Sequence, residues 1–556
     1  MKDDMKSFYI AVFLSLFVVW GVNYFFPKPA TTVSSQQKAS EEETVTVVNN
    51  DADEVENEKT IYQSTETAVA KNQRFSLKNN SLSGTVRLEG ARFDNLYLLK
   101  YKQTLDNDSP NVELLAPSKT ASTFFAEYGW LSADKNLLLP NSDTQWTIVG
   151  NQELTPETPV TLEWNNGQGL IFRNEISLDE NYLFNIKQTV ENNSGAAVTL
   201  VPYGLFSKRL QEEQTRGIVH EGFTGVIDGS LEEIRYAKLS ETPEEFETTG
   251  GWVSFSDKYW FGAFIFNGAA QQKVSVRKIK DDLFQLDYKG LPLQIQSGSS
   301  ASVDTGLYAG AKEIKLLDKY AKKIKKFDLN VDFGWYYFIT KPFFYILDFL
   351  YGFIGNMGWA ILLFAFLLRL AMFPIANKSF ESMSKMKKIQ PKIMILQEMY
   401  KDDKPALQRA TMALYQKEKI NPASGCLPLF IQIPIFFSLY KVLNIAIEIR
   451  HAPFIGWVKD LSAPDPLVIS SWSHIYIPSM LDIGVWPLIY GLTMFLQNRL
   501  NPKPANKDQA RMFALMPIVF TLMFAHFAVG LVIYWTLSNV LSILQQRAIM
   551  YKNGVK

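Results

Sequence analysis

Arg369 stands in the run ILLFAFLLRLAMFP (361–374), where every other residue is apolar or proline. A cation inside a membrane span costs on the order of 2.5 to 3.5 kcal/mol on insertion scales, so the surroundings have to offset it. A buried carboxylate is the usual offset, yet the apolar spans hold none: Glu448 and Asp482 fall at the outward ends of theirs, whereas Arg369 lies toward the inward end of its own. Two readings stand. In the first, Arg369 snorkels to a cytosolic boundary marked by Pro374 and Lys378. In the second it faces a water-filled groove, closed on one side, open to the cytosol and lined by Gln432, Asn444, Gln497 and Asn539. Each of these polar residues alone reads as a hydrogen bond between packed helices. Pro428 and Pro434 in CLPLFIQIPIF each remove a backbone donor, which predicts a kinked, locally open span.

Other chemistry drops out. The single cysteine, Cys426, forms no internal disulfide, and His220, His451, His474 and His526 are too far apart in sequence to show metal-ligand spacing. There is no Walker-type phosphate loop and no nucleophile beside a base, so neither enzyme chemistry nor a cofactor or metal is expected.

The elements that position Arg369 follow from where the oily residues crowd. The chain has 556 residues with 56 basic against 56 acidic, and its apolar residues concentrate in the first 26 positions and after residue 330. Zero net charge removes a global electrostatic case for DNA. Residues 1–26 contain an apolar run, Phe8 to Phe26, long enough to span and flanked by bulky residues unlike a cleavage site, hence an uncleaved anchor with Lys2 and Lys6 inside. Residues 27–63 are acidic and polar, a flexible linker. Residues 64–330 alternate with period two at Val160, Leu162 and Trp164, at Leu170 and Phe172, and at Phe184 and Ile186, with Asn166-Gly167 as a hairpin turn. A large antiparallel β-sandwich is expected there.

Residues 331–354 are aromatic-rich but broken by Lys341-Pro342 and Asp348. If they crossed the membrane, the lysine-rich segment 377–421 would fall outside, against the positive-inside rule, so they are read as an interfacial amphipathic helix. Residues 355–550 then hold five spans: Gly355 to Ala376, Leu427 to Ile447, Ile483 to Gln497, Met512 to Phe527 and Leu531 to Ile549. The fold class expected is a polytopic α-helical membrane protein with six transmembrane helices and a large extracytoplasmic antiparallel β-sandwich domain.

Segment 377–421 reads as a cytosolic helical hairpin with Phe380, Met383, Met386, Ile389 and Ile393 on one stripe, turning at Lys401 to Pro405. The stripe is either plain helix packing or, with the methionines Met383, Met386, Met394, Met399 and Met412, a soft, adaptable client surface. Its rim, including Lys387 and Lys388, suits anionic lipid or ribosomal RNA.

The stretches LLRLAMFPIANKSFESMSKMKKIQPKI, MALYQKEKINPASGCLPLFIQIPIFFSLYKVL, HAPFIGWVKDLSAPDP, MFALMPIVFTLMF and GLVIYWTLSNVLSILQQ, in this order, resemble the YidC/Oxa/Alb family of membrane protein insertases in its Gram-negative form. The resemblance implies a hydrophilic groove open to the cytosol and lipid, with Arg369 attracting acidic extracytoplasmic segments of clients. It implies a client-contact slide at Ile433, Pro434, Phe436 and Met523, with Tyr534 and Trp535 as groove aromatics. Trp535 stands where a tyrosine is expected, and Ala365 where relatives can carry a polar residue. The implied activity is insertion and folding of nascent membrane proteins at the bacterial inner membrane, alone or with the Sec translocon and its accessory subunits. The ribosome is a transient partner, and the short tail argues against attachment through a basic extension. The N-terminus is placed in the cytoplasm and the large domain in the periplasm. The alternative is a secondary transporter or channel, which would need an internal repeat or intramembrane acids that the sequence lacks.

Overall fold

The computed structural model describes residues 62–210, 219–280, 282–401, 403–420, 427–473, 476–478, 481–502 and 507–554. The expected N-terminal anchor, nearly all of the linker, Asp402, Cys426 and His474 lie outside them. The chain divides into two compact units. One takes in the described residues up to Lys102 together with Pro110–Ala311 and Asp318–Asn330, and the other Gln103–Ser109, Lys312–Leu317 and the described residues from Val331 onward.

The first unit is built from β-strands. Leu183–Asn192 pairs antiparallel with both Leu170–Leu178 and Ser299–Ala311; the first two bury alternate residues as a half-buried strand must, whereas the third is buried throughout its second half. Phe124–Leu131 and Leu283–Lys289 flank Val198–Arg209 and are buried on both faces, so the domain is layered. Inside it, the Arg92 guanidinium donates through Nε (3.0 Å) and a terminal nitrogen (2.8 Å) to one oxygen of Glu127 and lies over the Phe125 ring. The Asn166-Gly167 hairpin forms with a longer connection than a two-residue turn. The Asn166 side chain is drawn inward by the Leu138 carbonyl (3.0 Å) and accepts from the Gln168 and Leu170 amides, so the loop runs from Asn166 to Gly169.

The second unit is helical. Its main helices are α1 (Tyr337–Ile354), α2 (Met357–Ala371), α3 (Phe373–Met399), α4 (Lys404–Lys417), α5 (Leu427–Ile445), α6 (Val485–Leu500), α7 (Lys507–Phe524) and α8 (Val529–Lys552). Helix α1 buries Thr340, Phe344, Leu347 and Leu350 and leaves Phe338, Phe349 and Phe353 exposed, an amphipathic pattern.

Among the described residues no single helix is long and apolar enough to cross a membrane, whereas α2 and α3 pass together as a pair bent by 66°. Phe430–Ile445 and Ala510–Phe524 are shorter apolar helices. Helix α8 has 24 residues, ample length at ~1.5 Å per residue, but Thr536, Ser538, Asn539, Ser542, Gln545 and Gln546 dilute its hydropathy.

The sharp bend lies elsewhere than expected. Helix α5 runs unbroken through Pro434, although this proline stands about two turns inside it and removes the bond to the Phe430 carbonyl. The break comes instead at Met372, because Pro374 in the first turn of α3 has no N–H for the Leu370 carbonyl. The hairpin's first helix therefore begins at Phe373, before the expected boundary at residue 377.

Beyond the end of α5, Glu448 is half-buried. One of its oxygens accepts from the Ile314 amide (3.2 Å), while the other is enclosed without a partner. Burial, with Glu313 and Asp348 adding repulsion, pushes its carboxyl from 4.5 up to about 7. The folded form thus keeps a proton that the unfolded chain has lost, so this contribution to stability is complete below about pH 4.5 and drains away as pH rises toward 7. Glu448→Gln is expected to match the wild type in acid and to exceed it in thermal stability by a margin that grows between pH 4.5 and 7 and then levels off. Unfolding of the detergent-solubilised chain across that range measures it, and a pH-independent gap would exclude titration of Glu448 as the cause.

Candidate functional site

Helix α2 delivers Arg369 three residues before the break at Met372. The guanidinium carbon lies over the Phe380 ring of α3, 5.8 Å from its centre. Its Nε is buried with no hydrogen-bond partner, and among the described residues no carboxylate forms an ion pair with it. Arg369 and the Tyr534 hydroxyl of α8 are close enough to interact electrostatically, and that hydroxyl accepts from the Gln432 side chain of α5 at 3.1 Å. Three helices, α2, α5 and α8, thus bring Arg369, Gln432 and Tyr534 into one polar line, with Tyr534 only 2% exposed.

The other expected groove residues sit elsewhere. Asn539 donates to Thr493 (3.2 Å), a contact between α8 and α6. Asn444 donates to the Tyr440 carbonyl of its own helix (2.8 Å), and Gln497 is half-buried on α6. Sequence reasoning missed Gln545, whose amide donates to the Asn377 side chain (2.7 Å) and the Phe373 carbonyl (3.3 Å), tying α8 to the first turn of α3. It also missed the buried hydroxyls of Ser384 and Ser438, which have no partner among the described residues. The polar residues Thr536, Ser538, Asn539, Ser542, Gln545 and Gln546 along α8 are the signal that was available for Gln545, whereas Ser384 and Ser438 carry none.

Beside the polar line stands an aromatic wall. Trp535 packs against Phe436 (5.6 Å), Phe524 (6.2 Å) and Tyr490 (6.5 Å), joining α5 to α8, and its indole N–H is buried without a partner. Phe436 belongs to this wall and is half-buried, as is Pro434. Ile433 and Met523 are open, at 40% and 41% exposure. They continue exposed apolar rows, Phe430, Ile433 and Phe437 on α5 and Leu515, Val519 and Met523 on α7.

The hairpin folds on a small core of Ile389, Ile393 and Ile420, with Met386, Leu414 and Tyr415 packed against it. Asp403 caps α4 by accepting from the Ala406 amide, and Lys392 bridges to Glu418 at 2.6 Å. Met383 and Lys387 are half-buried and Lys388 is exposed. The open methionines are Met394, Met399 and Met412, whereas Met383 and Met386 of the stripe are half-buried.

Residues 74–346 match the family model described as YidC periplasmic domain, and residues 349–555 the one described as 60Kd inner membrane protein. A membrane protein insertase YidC from Beijerinckia indica is 43% identical, with 100% of this chain and 97% of that protein aligned. Another from Rickettsia bellii is 42% identical over 98% and 99% of the two chains. Among solved structures, an active YidC insertase crystal structure aligns at 16% identity and a TM-score of 0.36, covering 85% of this chain and 92% of that one. Identity above forty per cent along essentially the whole length leaves no separate origin for either unit, and the chain belongs to the YidC family of membrane protein insertases.

Proposed function

We infer that this chain is a membrane protein insertase of the bacterial inner membrane that receives nascent membrane proteins at Arg369 and passes them to lipid along α5 and α7. The observation that carries the reading is the arginine itself: a guanidinium beside apolar helices, with a buried nitrogen unpartnered and no carboxylate paired to it among the described residues. Such a group attracts an acid brought from outside the chain. Gln432 and Tyr534 supply a polar floor next to it, and the open apolar row with Ile433 and Met523 gives a hydrophobic segment a path of matching chemistry. Transfer of the client's apolar residues into lipid drives the step. The client therefore supplies the free energy.

In this reading α2 with the first turn of α3, then α5, α6, α7 and α8, account for five crossings, and the N-terminal apolar run for a sixth. Helix α1 lies along the outer surface, the hairpin is cytosolic, and the β domain is periplasmic with the N-terminus inside. The lysines of the hairpin favour that orientation, as do Arg499 and Arg547. The exposed Met394, Met399 and Met412 form the adaptable first contact for a client, and the basic rim favours transient approach to the ribosome and to anionic lipid. The chain acts alone or with the Sec translocon and its accessory subunits as expected partners.

Photo-crosslinkers placed at Ile433 and at Met523 are expected to capture nascent single-span segments in membrane vesicles, whereas one at Ala360, which is fully buried, is not. Solute flux without peptide adducts at either position would replace insertion with transport.

A further inference from the structure

Arg369 and Phe380 are eleven residues apart and would be ~16 Å apart along a continuous helix at ~1.5 Å per residue, too far for a guanidinium to sit over the ring. They meet at 5.8 Å because the chain breaks at Met372 and α3 leaves α2 at 66°. The contact is therefore a property of the hairpin's orientation. Phe380 is only 4% exposed, and Ser384, one turn further along the same face, is buried with an unpartnered hydroxyl. At the base of the same helix, Gln545 of α8 holds Asn377 and the Phe373 carbonyl, two polar contacts that keep α3 at this angle.

Resting on the reading of Arg369 as the client's anchor, we propose that Phe380 is a positioning residue. Its ring holds the guanidinium while the site is empty, and the acidic flank of a client takes the ring's place, which uncouples the hairpin from the site. The exchange follows from relative strengths. The face of a phenyl ring attracts a cation through its quadrupole, a contact worth at most a few-fold to tens-fold in occupancy. A carboxylate brings a full charge and two acceptor oxygens to the fork of the guanidinium, including the Nε that the ring leaves without a hydrogen bond. A client with a neutral flank has nothing to exchange and leaves the ring in place. The hairpin, whose exposed methionines meet the client first, is thereby told by its own phenylalanine whether the anchor is occupied.

The test varies the ring's electrostatics at constant shape. Full-length protein in vesicles carries phenylalanine, 4-fluoro-, 3,5-difluoro- or 3,4,5-trifluorophenylalanine at position 380, with a photo-crosslinker at Met523. The concentration giving half-maximal capture is measured for a single-span client with an aspartate in its flank and for the same client with asparagine there. Weakening the ring's hold removes a competitor, so capture of the aspartate client is expected to tighten stepwise, by roughly two- to fivefold over the series, with the asparagine client unchanged. Phe380→Leu, which keeps an apolar side chain without a quadrupole, should fall at the trifluoro end. A spin label at Met399 should gain mobility on addition of the aspartate client in the wild type and should already be mobile in the trifluoro protein. A flat series, or an equal shift for both clients, overturns the proposal. Arg369→Ala in parallel separates the two levels: if it erases the preference for aspartate while the series is flat, the anchor stands and only the role of Phe380 falls, and if the preference survives, the anchor reading falls with it.

Discussion

Arg369→Ala is expected to lose at least tenfold in the insertion of a client whose translocated flank carries an acid, with little loss for a client with a neutral flank. Charge at the midplane costs on the order of 2.5 to 3.5 kcal/mol, and losing even two-thirds of the compensation a cation gives changes partitioning more than tenfold, since 1.4 kcal/mol is a factor of ten. Arg369→Lys should keep much of the activity, because a point charge remains, yet not all, because the planar fork that binds both carboxylate oxygens is gone. Folding should move in the opposite sense. The guanidinium has a buried nitrogen with no hydrogen-bond partner and no ion pair with a carboxylate among the described residues, so removing it relieves an uncompensated group. The thermal midpoint of Arg369→Ala is therefore expected to equal or exceed that of the wild type. Loss of insertion with retained stability is the signature of an anchor. Reconstitution with the matched acidic and neutral clients, together with a melting curve, measures both, and undiminished insertion of the acidic client would remove Arg369 from the mechanism.

That residue was legible because type and context conflict: an arginine among leucines announces itself without any structure. Its neighbours were not. Phe380 reads as one more member of a helical stripe, and its place over Arg369 depends on a 66° break whose only sequence mark is Pro374. The two prolines of α5 give a louder signal, yet that helix stays continuous: Pro428 is its second residue, where no N–H is needed, and the chain remains helical through Pro434 about two turns in. Asn444 and Asn539 look like groove walls in a hydropathy profile, but an amide satisfied by its own helix or by a neighbouring threonine has the same sequence signature. In the β domain, alternation identifies strands with one wet face, such as Leu170–Leu178. It says nothing of Phe124–Leu131 or Leu283–Lys289, which are buried on both sides and have no alternation to read.

The strongest structural dependence of the site lies in a loop whose sequence carries the family resemblance but gave no sign of the part Asp465 plays. Asp465, 3% exposed, accepts from the Trp457 indole (2.9 Å), the Leu467 amide (3.0 Å) and the Trp486 amide in the first turn of α6 (2.7 Å). Gly484 packs so closely on it that a Cβ there would come within 2.5 Å of the Asp465 Cβ, which fixes glycine at that position. The loop held this way ends on α8: the Ala463 carbonyl accepts from the Val529 amide (2.7 Å) and the Leu461 carbonyl from the Gly530 amide (3.1 Å), meeting two N–H groups that a helix start leaves open. Tyr534 follows one and a half turns later, so its register against Gln432 descends from the carboxylate. Asp465→Ala leaves three part-buried donors without their acceptor, the Trp457 indole within reach of water, so at about 1 kcal/mol for each, less than additively, the expected loss is about 2 to 3 kcal/mol. The midpoint of the solubilised chain should fall on the order of 5 °C. Asp465→Asn keeps one acceptor oxygen but turns an amide N–H₂ toward a donor, and should fall about half as far. Insertion should fail for acidic and neutral clients alike and recover on cooling, the reverse of the pattern expected for Arg369→Ala. An unshifted midpoint in Asp465→Ala would mean that α8 keeps its register without this carboxylate, and the chain of contacts from Asp465 to Tyr534 would have to be abandoned.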